Sequence, residues 1–222
     1  MPSRRLLPLA LGLVAVLGAA CGGGSSDPAA DVKPASLHGA IPGCDSPDKC
    51  AAPDVELRTT DGEQFNIAQA AEDKILLLYF GYTHCPDECP TTMADLATAI
   101  RHSPQWVQDG VQVAFVTTDP RRDTPTVLRH WLDNFSPAFV GLTGNVRQIA
   151  SAESGVNIPL ASAEKVSRKD RKKVGAYAVN HFAAAVGYDS SGHVAVLYPA
   201  GVTPDDIAKD LPVLVANKVA TS

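Results

Sequence analysis

The most constraining feature of the sequence is an unbroken apolar run followed at once by a short loop with two cysteines. The run covers residues 75–80, and Cys85 and Cys89 follow within Gly-Tyr-Thr-His-Cys-Pro-Asp-Glu-Cys-Pro. A continuous apolar run of this length is typical of a strand buried on both faces of a sheet. Pro90 suits the first turn of a helix, and apolar residues recur at helical spacing over residues 91–101. The sequence therefore predicts a buried strand, a cysteine loop and a helix in direct succession.

The segments on either side of this loop alternate between strand and helix patterns. Asp61-Gly62 separates two short strands and predicts an antiparallel N-terminal β-ribbon. The alternation downstream predicts a sheet that is at least partly parallel. The last third is expected to add a C-terminal hairpin at one side of the sheet and a final helix capped by Thr203. The predicted strands are 55–57, 64–65, 75–80, 111–116, 140–142, 177–189 and 193–198, and the predicted helices are 89–101, 124–132, 146–154 and 204–214.

These elements together predict a single α/β domain over residues 53–219. A mixed central sheet flanked by helices, with cysteines where a central strand leads into a helix, describes the thioredoxin-like fold. The cysteines then lie at the carboxyl end of a strand, where α/β sheets generally bind ligands. The motif Asp-Pro-Arg-Arg-Asp-Thr-Pro at 119–125 ends the next strand and should lie at the same edge.

Three local predictions accompany this fold. Asp123 is expected to cap the helix that begins with Thr124 and Pro125. The polar and basic residues 161–173 are expected to form a solvated loop. Pro212 predicts a kink or an interruption in the final helix, because proline cannot donate the backbone hydrogen bond that the helix requires.

The N-terminus has the pattern of an export signal. Two arginines precede an apolar run over residues 6–17, which is short for a membrane span, and small residues then lead to Cys21. This predicts a signal peptide over residues 1–20. Residues 17–21 resemble a bacterial lipobox, in which the cysteine is acylated and becomes the new N-terminus. Residues 21–52, rich in Gly, Ser, Pro and Ala, are then a lipidated flexible tether.

We therefore expect a lipid-anchored protein at the extracytoplasmic face of the cell membrane, with an ordinary secreted chain as the alternative. The chain has 19 Lys and Arg against 24 Asp and Glu, a net charge of −5. An acidic chain gives no reason to expect nucleic acid or polybasic membrane binding. Any membrane association should come from the lipid on Cys21.

The remaining four cysteines form two local pairs. Cys44 and Cys50 flank a polar, turn-rich stretch before the first predicted strand. An exported chain permits disulfides, so this pair predicts a small structural disulfide rather than a second metal site.

The residues alone allow two chemistries for Cys85 and Cys89. Cys89 lies near the predicted helix N-terminus, where the free amide groups and the helix dipole are expected to favour a thiolate. A thiolate is both the better nucleophile and the better metal ligand. Three residues separate the sulfurs, one more than in the familiar Cys-X-X-Cys redox motif. The wider loop leaves room for a metal ion, and copper accepts two thiolates with an added imidazole. Six histidines are present, and spacing does not choose among them.

Four segments in their order along the chain resemble the Sco/SenC family of copper proteins. They are 80–90, with both cysteines of the loop; 118–125, with the Asp-Pro-Arg-Arg-Asp-Thr-Pro motif; 141–144, Gly-Leu-Thr-Gly; and 177–181, Tyr-Ala-Val-Asn-His. The resemblance extends over about residues 53–215. Glu88 departs from the family's usual apolar residue, and the segment after His181 is more apolar than usual.

The resemblance implies a ligand set and a function. Cys85, Cys89 and His181 would bind copper, as Cu(I) or Cu(II), in a thioredoxin-like domain with a membrane tether. The family role implies an extracytoplasmic chaperone that helps to assemble the binuclear copper centre of cytochrome c oxidase. Its partners would be the copper-bearing subunit of the oxidase or another copper chaperone. The alternative is an enzyme, a thiol-disulfide reductase that keeps the cysteines of that partner reduced by cycling Cys85 and Cys89.

Overall fold

The computed structural model describes residues 37–39, 50–169, 172, 177–189 and 191–221. The predicted signal peptide, Cys21, Cys44 and most of the predicted tether lie outside these residues. Cys50 is disulfide-bonded, and its predicted partner Cys44 is not among the described residues. Among the described helices none has both the length and the apolar character needed to cross a membrane.

A seven-stranded mixed sheet forms the centre of the domain. Its strands are β1 Glu56–Thr59, β2 Gln64–Asn66, β3 Ile75–Gly81, β4 Val111–Thr117, β5 Val140–Thr143, β8 Ala184–Tyr188 and β9 Val194–Pro199. They lie in the order β2-β1-β5-β4-β3-β8-β9. The strands β3, β4 and β5 are parallel, whereas β1 and β8 pair antiparallel to this parallel centre. The sheet confirms the predicted N-terminal ribbon and the partly parallel centre.

Helices cover both faces of the sheet. They are α1 Ile67–Asp73, α2 Glu88–His102, α3 Gln105–Gly110, α4 Pro125–Leu132, α5 Val146–Gly155 and α6 Pro204–Thr221. Every residue of β3 is buried, and its side chains alternate between two apolar cores. One core contains Tyr79 with residues of α2 and α6, and the other contains Phe80 with residues of α1 and α5. This three-layer arrangement is the predicted thioredoxin-like fold.

The predicted strand 177–189 is two strands that belong to different sheets. Its first part, β7 Tyr177–Asn180, pairs antiparallel with β6 Ser162–Lys165. Its second part, β8, forms the C-terminal hairpin with β9. The predicted loop 161–173 therefore contains a strand, which the polarity of the sequence concealed because all four residues of β6 are exposed. His181 consequently lies in the connection between two sheets rather than within a hairpin strand.

The final helix corrects one of the two outcomes expected at Pro212, an interruption. It continues from Pro204 to Thr221 without interruption at Pro212. Leu211 and Val213 on either side of the proline are both buried. The apolar packing of this helix on the core offsets the one backbone hydrogen bond that the proline removes.

Within the predicted tether, residues 37–39 pack on the domain. The backbone N–H groups of His38 and Gly39 donate to the carboxylate of Asp210 on α6, at 2.8 and 3.0 Å. The His38 imidazole Nδ1 lies 2.7 Å from the same carboxylate, and Leu37 packs against the core. A Cβ atom on Gly39 would approach Val196 to 2.3 Å, so this short segment lies closely against β9.

Candidate metal site

Three ligand side chains meet at the carboxyl end of β3. Cys85 lies in the loop after β3, Cys89 is the second residue of α2, and His181 follows β7. Their two sulfur atoms and one imidazole nitrogen all lie within 4.8 Å of one another. Cys89 Sγ and His181 Nε2 lie 3.4 Å apart. The fold thus brings together the three residues that the family resemblance selected.

Local backbone structure orients the two cysteines. A turn places Cys85 above the helix, since its N–H donates to the Tyr82 carbonyl at 3.1 Å. The N–H of Cys89 donates to Cys85 Sγ at 3.4 Å, as expected for a sulfur at a helix N-terminus. Asp87 is the N-cap residue, and its side chain accepts from the N–H of Glu88. The predicted start of the helix at the second cysteine is confirmed to within one residue.

The two thiols are free, buried and electrostatically different. A hydrogen bond from the Cys89 thiol lowers the pKa of Cys85 to about 4, and hydrogen bonds from His181 and backbone N–H groups add to this effect against the opposing effect of burial. Burial raises the pKa of Cys89, and the adjacent Cys85 thiolate raises it further. In the metal-free protein Cys85 is therefore the thiolate and Cys89 the thiol. This corrects the expectation for Cys89, because the N–H group at the helix N-terminus donates to Cys85 Sγ while Cys89 Sγ is buried.

Aromatic rings surround the histidine. The rings of Tyr79 and Tyr82 contact the His181 imidazole edge-on, with centroids 6.1 and 5.6 Å away. Burial lowers the pKa of His181, but the hydrogen bond and charge of Cys85 outweigh it, so the pKa is raised overall. While Nε2 faces the sulfurs, Nδ1 is buried and has no hydrogen-bond partner among the described residues. The ring is thus positioned by packing on one side and by sulfur on the other.

Tyr79 is a contact that the sequence analysis missed. Its hydroxyl donates to Cys89 Sγ at 3.8 Å from a fully buried ring, and burial raises the pKa of that hydroxyl. The strand pattern held the signal, because Tyr79 shares its face of β3 with Ile75 and Leu77, the face covered by α2. That parity places the hydroxyl beside the helix that carries Cys89.

The predicted helix cap Asp123 has a different role. Thr124 is the N-cap of α4, and its hydroxyl accepts from the N–H of Val127. Asp123 is fully buried, and its carboxylate accepts from Thr83 N–H at 2.9 Å, Thr83 Oγ1 at 2.6 Å and Thr117 Oγ1 at 2.7 Å. Since Thr83 lies two residues before Cys85, Asp123 fastens the cysteine loop to the end of β4. The motif 119–125 lies at the same edge as the cysteines, as predicted.

The donor set fits a soft metal ion. Two thiols and an imidazole are ligands that copper and zinc accept, and thiolate strongly favours Cu(I). Other polar residues of the loop stand outside this group: His84 is 44% exposed, and its Nδ1 lies 3.1 Å from Thr83 Oγ1. Asp87 and Glu88 are exposed at the rim. The site therefore offers three ligands at the end of a strand, with acidic residues beside the opening.

Comparison with known proteins decides the family. The family model described as SCO1/SenC matches residues 46–216. The chain belongs to the SCO1/SenC family. That match covers the whole central sheet and the three residues of the metal site, so the resemblance found in the sequence is confirmed. A relative from Stutzerimonas stutzeri is 30% identical over 176 residues, which are 78% of this chain and 80% of the relative.

A SCO2-like protein of Rickettsia felis is 43% identical over 96 residues, which cover 43% of this chain and 46% of that protein. Among solved structures, Bradyrhizobium japonicum ScoI with copper bound superposes with a TM-score of 0.61 at 30% identity, covering 74% of this chain and 99% of that one. Apo Sco1 from Thermus thermophilus gives a TM-score of 0.63 at 30% identity, covering 84% and 98%. Both structures share the fold described above.

Proposed function

We propose that this SCO1/SenC protein is a copper chaperone that carries copper on Cys85, Cys89 and His181. In this role it helps to assemble the binuclear copper centre of cytochrome c oxidase. The observation that carries the proposal is the convergence of two free thiols and one imidazole within 4.8 Å. The solved relative from Bradyrhizobium japonicum, described with copper bound, supports copper as the ion.

The two cysteines contribute differently to capture. Cys85 is already a thiolate at neutral pH and is 9% exposed, whereas Cys89 is completely buried and protonated. Capture therefore begins at Cys85, and Cys89 loses its proton as the second sulfur binds, so uptake releases a proton. His181 Nε2, 3.4 Å from Cys89 Sγ, completes the set.

Delivery also begins at Cys85. A ligand of the acceptor reaches the site first at Cys85, the more accessible sulfur, and displaces it before the buried ligands. The acceptor we propose is the copper-bearing subunit of cytochrome c oxidase. The copper donor is another copper chaperone or copper ions supplied by the cell. The exposed acidic residues Asp87 and Glu88 at the rim favour a partner surface with basic residues.

The ligand set is tested by titrating the purified reduced domain with Cu(I) and Cu(II). We expect Cys85→Ser and Cys89→Ser each to abolish two-thiolate coordination, measured by X-ray absorption and by the thiolate charge-transfer band. His181→Ala should remove the nitrogen signal of Cu(II) in electron paramagnetic resonance. His84→Ala is the matched control, because His84 adjoins Cys85 but lies outside the ligand group. An unchanged Cu(II) spectrum in His181→Ala would contradict the ligand set.

We also propose that the protein acts at the extracytoplasmic face of the membrane, held there by a lipid on Cys21 after removal of residues 1–20. The sequence pattern of residues 17–21 supports this. In cells, Cys21→Ser should release the protein from the membrane fraction. If the variant stays in that fraction, the lipid anchor is not what holds the protein.

A thiol-disulfide reductase is the second candidate, favoured by one observation. Cys85 has a pKa of about 4, which marks a thiol that attacks or leaves readily. Reduction of a partner would oxidise Cys85 and Cys89 to a disulfide and require no histidine. Cells in which His181→Ala still supports oxidase assembly, while Cys85→Ser does not, would favour the reductase over copper delivery.

A further inference from the structure

We propose that Arg122 is a positioning residue of the metal site. Its contacts with Tyr177, the first residue of β7, keep His181 beside the two cysteines. This inference rests on the proposed function, because it concerns how that ligand set is assembled. Arg122 belongs to the motif Asp-Pro-Arg-Arg-Asp-Thr-Pro at residues 119–125. It is not one of the three metal ligands.

The position of His181 depends on β7. This strand is outside the central sheet and pairs with β6, a strand whose residues are all exposed. The cysteines, in contrast, follow the buried central strand β3. An element with few buried apolar contacts is expected to be less rigid than the core. Among the described residues, side-chain contacts must therefore supply much of what fixes β7 against the cysteine loop.

Arg122 makes such contacts at the first residue of β7. Its Nη1 donates to the carbonyl oxygen of Tyr177 at 3.1 Å. The guanidinium also stacks on the ring of Tyr177, with its central carbon 3.8 Å from the ring centroid. Tyr177 is four residues before His181, so its main chain and its ring are both held at the start of the strand that ends at the ligand.

Asp119 contacts both Arg122 and Tyr177. Its Oδ2 pairs with Arg122 Nε, and its Oδ1 accepts from the hydroxyl of Tyr177 at 2.8 Å. Asp119 is only 4% exposed, so its contacts with Arg122 and Tyr177 are largely shielded from water. A planar guanidinium can pair with a carboxylate, donate to a carbonyl and stack on a ring at once, whereas a lysine ammonium cannot.

The same loop also holds the other half of the site. The guanidinium of Arg122 lies over the ring of Tyr82, 5.6 Å from its centroid, and Tyr82 packs edge-on against His181. The next residue, Asp123, binds the backbone and hydroxyl of Thr83. One short loop after β4 therefore connects the cysteine loop to the histidine strand.

The experiment compares Arg122→Gln and Arg122→Lys with Arg121→Gln. Arg121 is the adjacent, exposed arginine, so its variant removes the same charge but leaves the contacts of Arg122 with Tyr177 and Asp119 in place. We expect Arg122→Gln to weaken copper affinity on the order of tenfold, as loss of a residue supporting a metal ligand does. Arg122→Lys should weaken it as well, and Arg121→Gln should not.

A double-mutant cycle with His181→Ala separates positioning from general damage. If Arg122 acts through His181, Arg122→Gln should change the affinity of His181→Ala by no more than about twofold. An equal loss in both backgrounds, or an equal loss in Arg121→Gln, would overturn the proposal. Tyr177→Phe, which removes only the hydroxyl bond to Asp119, provides a milder variant should Arg122→Gln fold poorly, and it should show a smaller loss with the same dependence on His181.

A metal-free measurement keeps this inference distinct from the proposed function. In the reduced apo protein, Arg122→Gln should shift the ring resonances of His181 and speed amide exchange across β6 and β7, while exchange in β3 and β4 is unchanged. If these changes occur but no variant, wild type included, binds copper, the proposed function fails and the positioning role stands. If copper binds and the apo spectra of Arg122→Gln match the wild type, the positioning role fails alone.

Discussion

At the scale of single residues, the site depends on an asymmetry between two cysteines four positions apart. Cys85 is 9% exposed and receives hydrogen bonds from Cys89 and from backbone N–H groups, whereas Cys89 is completely buried beside Tyr79. The sequence predicted both as candidate ligands, but its expectation that Cys89 is the favoured thiolate was wrong. The difference between the two thiols arises from the packing of α2 on β3, which is a tertiary property.

The asymmetry predicts how the apo protein reacts with alkylating agents. Only the thiolate reacts, and a pKa of about 4 for Cys85 keeps that thiolate fully formed down to about pH 5. Modification of Cys85 by iodoacetamide should therefore have nearly the same rate at pH 6 and pH 8. An ordinary thiol, with a pKa of about 8.5, slows about tenfold per pH unit below that value. Peptide mass spectrometry of the reduced domain measures the rate at each cysteine.

The control for this prediction is Cys89→Ala, which removes the hydrogen bond that contributes most to the lowered pKa. Its Cys85 should react more slowly at pH 6 than at pH 8. A tenfold decrease per pH unit in the wild type would show that Cys85 is an ordinary thiol and would remove the basis for capture beginning there.

At the scale of elements, segments with a strong local hydrophobic or turn pattern were predictable from the sequence. Segments whose structure depends on distant tertiary contacts were not. The apolar run of β3 and the hairpin signal Asp61-Gly62 each gave the observed element. The exposed strand β6 carries no apolar alternation, so nothing in its composition distinguished it from a loop. Asp123 looked like a helix cap because it precedes Thr124-Pro125, yet its actual partners lie 40 and 6 residues away in the chain.

The contact between residues 37–39 and α6 gives a prediction at this scale. Asp210 is buried and accepts from two backbone N–H groups of that segment and from the hydroxyl of Tyr198. Asp210→Asn replaces one acceptor oxygen with a donor and leaves buried groups unpaired, which costs about 1–3 kcal/mol of the free energy of unfolding. Urea denaturation measures this loss, and amide exchange at His38 and Gly39 should become faster.

Asp205→Asn is the matched control, because Asp205 is an exposed carboxylate in the first turn of the same helix. It should change the free energy of unfolding much less. Equal stability in both variants, with unchanged exchange at His38, would mean that the segment is not held by Asp210.

At the scale of the whole molecule, the metal site depends on long-range convergence that local pattern does not encode. Cys85 and Cys89 belong to one loop and could be paired from sequence, but His181 is 92 residues from Cys89 and was selected by family resemblance. Spacing alone did not distinguish it from the other five histidines. The structure explains the selection, because the connection between β7 and β8 passes over the carboxyl end of β3. A ligand bound there therefore joins the central sheet to the peripheral strands.

This convergence predicts that copper stabilises the whole domain only when the cysteines are reduced. A ligand that binds the folded state alone adds about 2.7 kcal/mol when its free concentration is 100 times Kd. Buffered Cu(I) should therefore raise the Tm of the reduced domain, measured by circular dichroism. Oxidation to a Cys85–Cys89 disulfide removes both thiolates, so the Tm of the oxidised domain should not respond to Cu(I). In reduced His181→Ala the rise should be smaller, because only the two sulfurs remain to join the loop to the metal. An equal rise in the reduced and oxidised domains would place copper elsewhere on the protein and contradict the three-residue site.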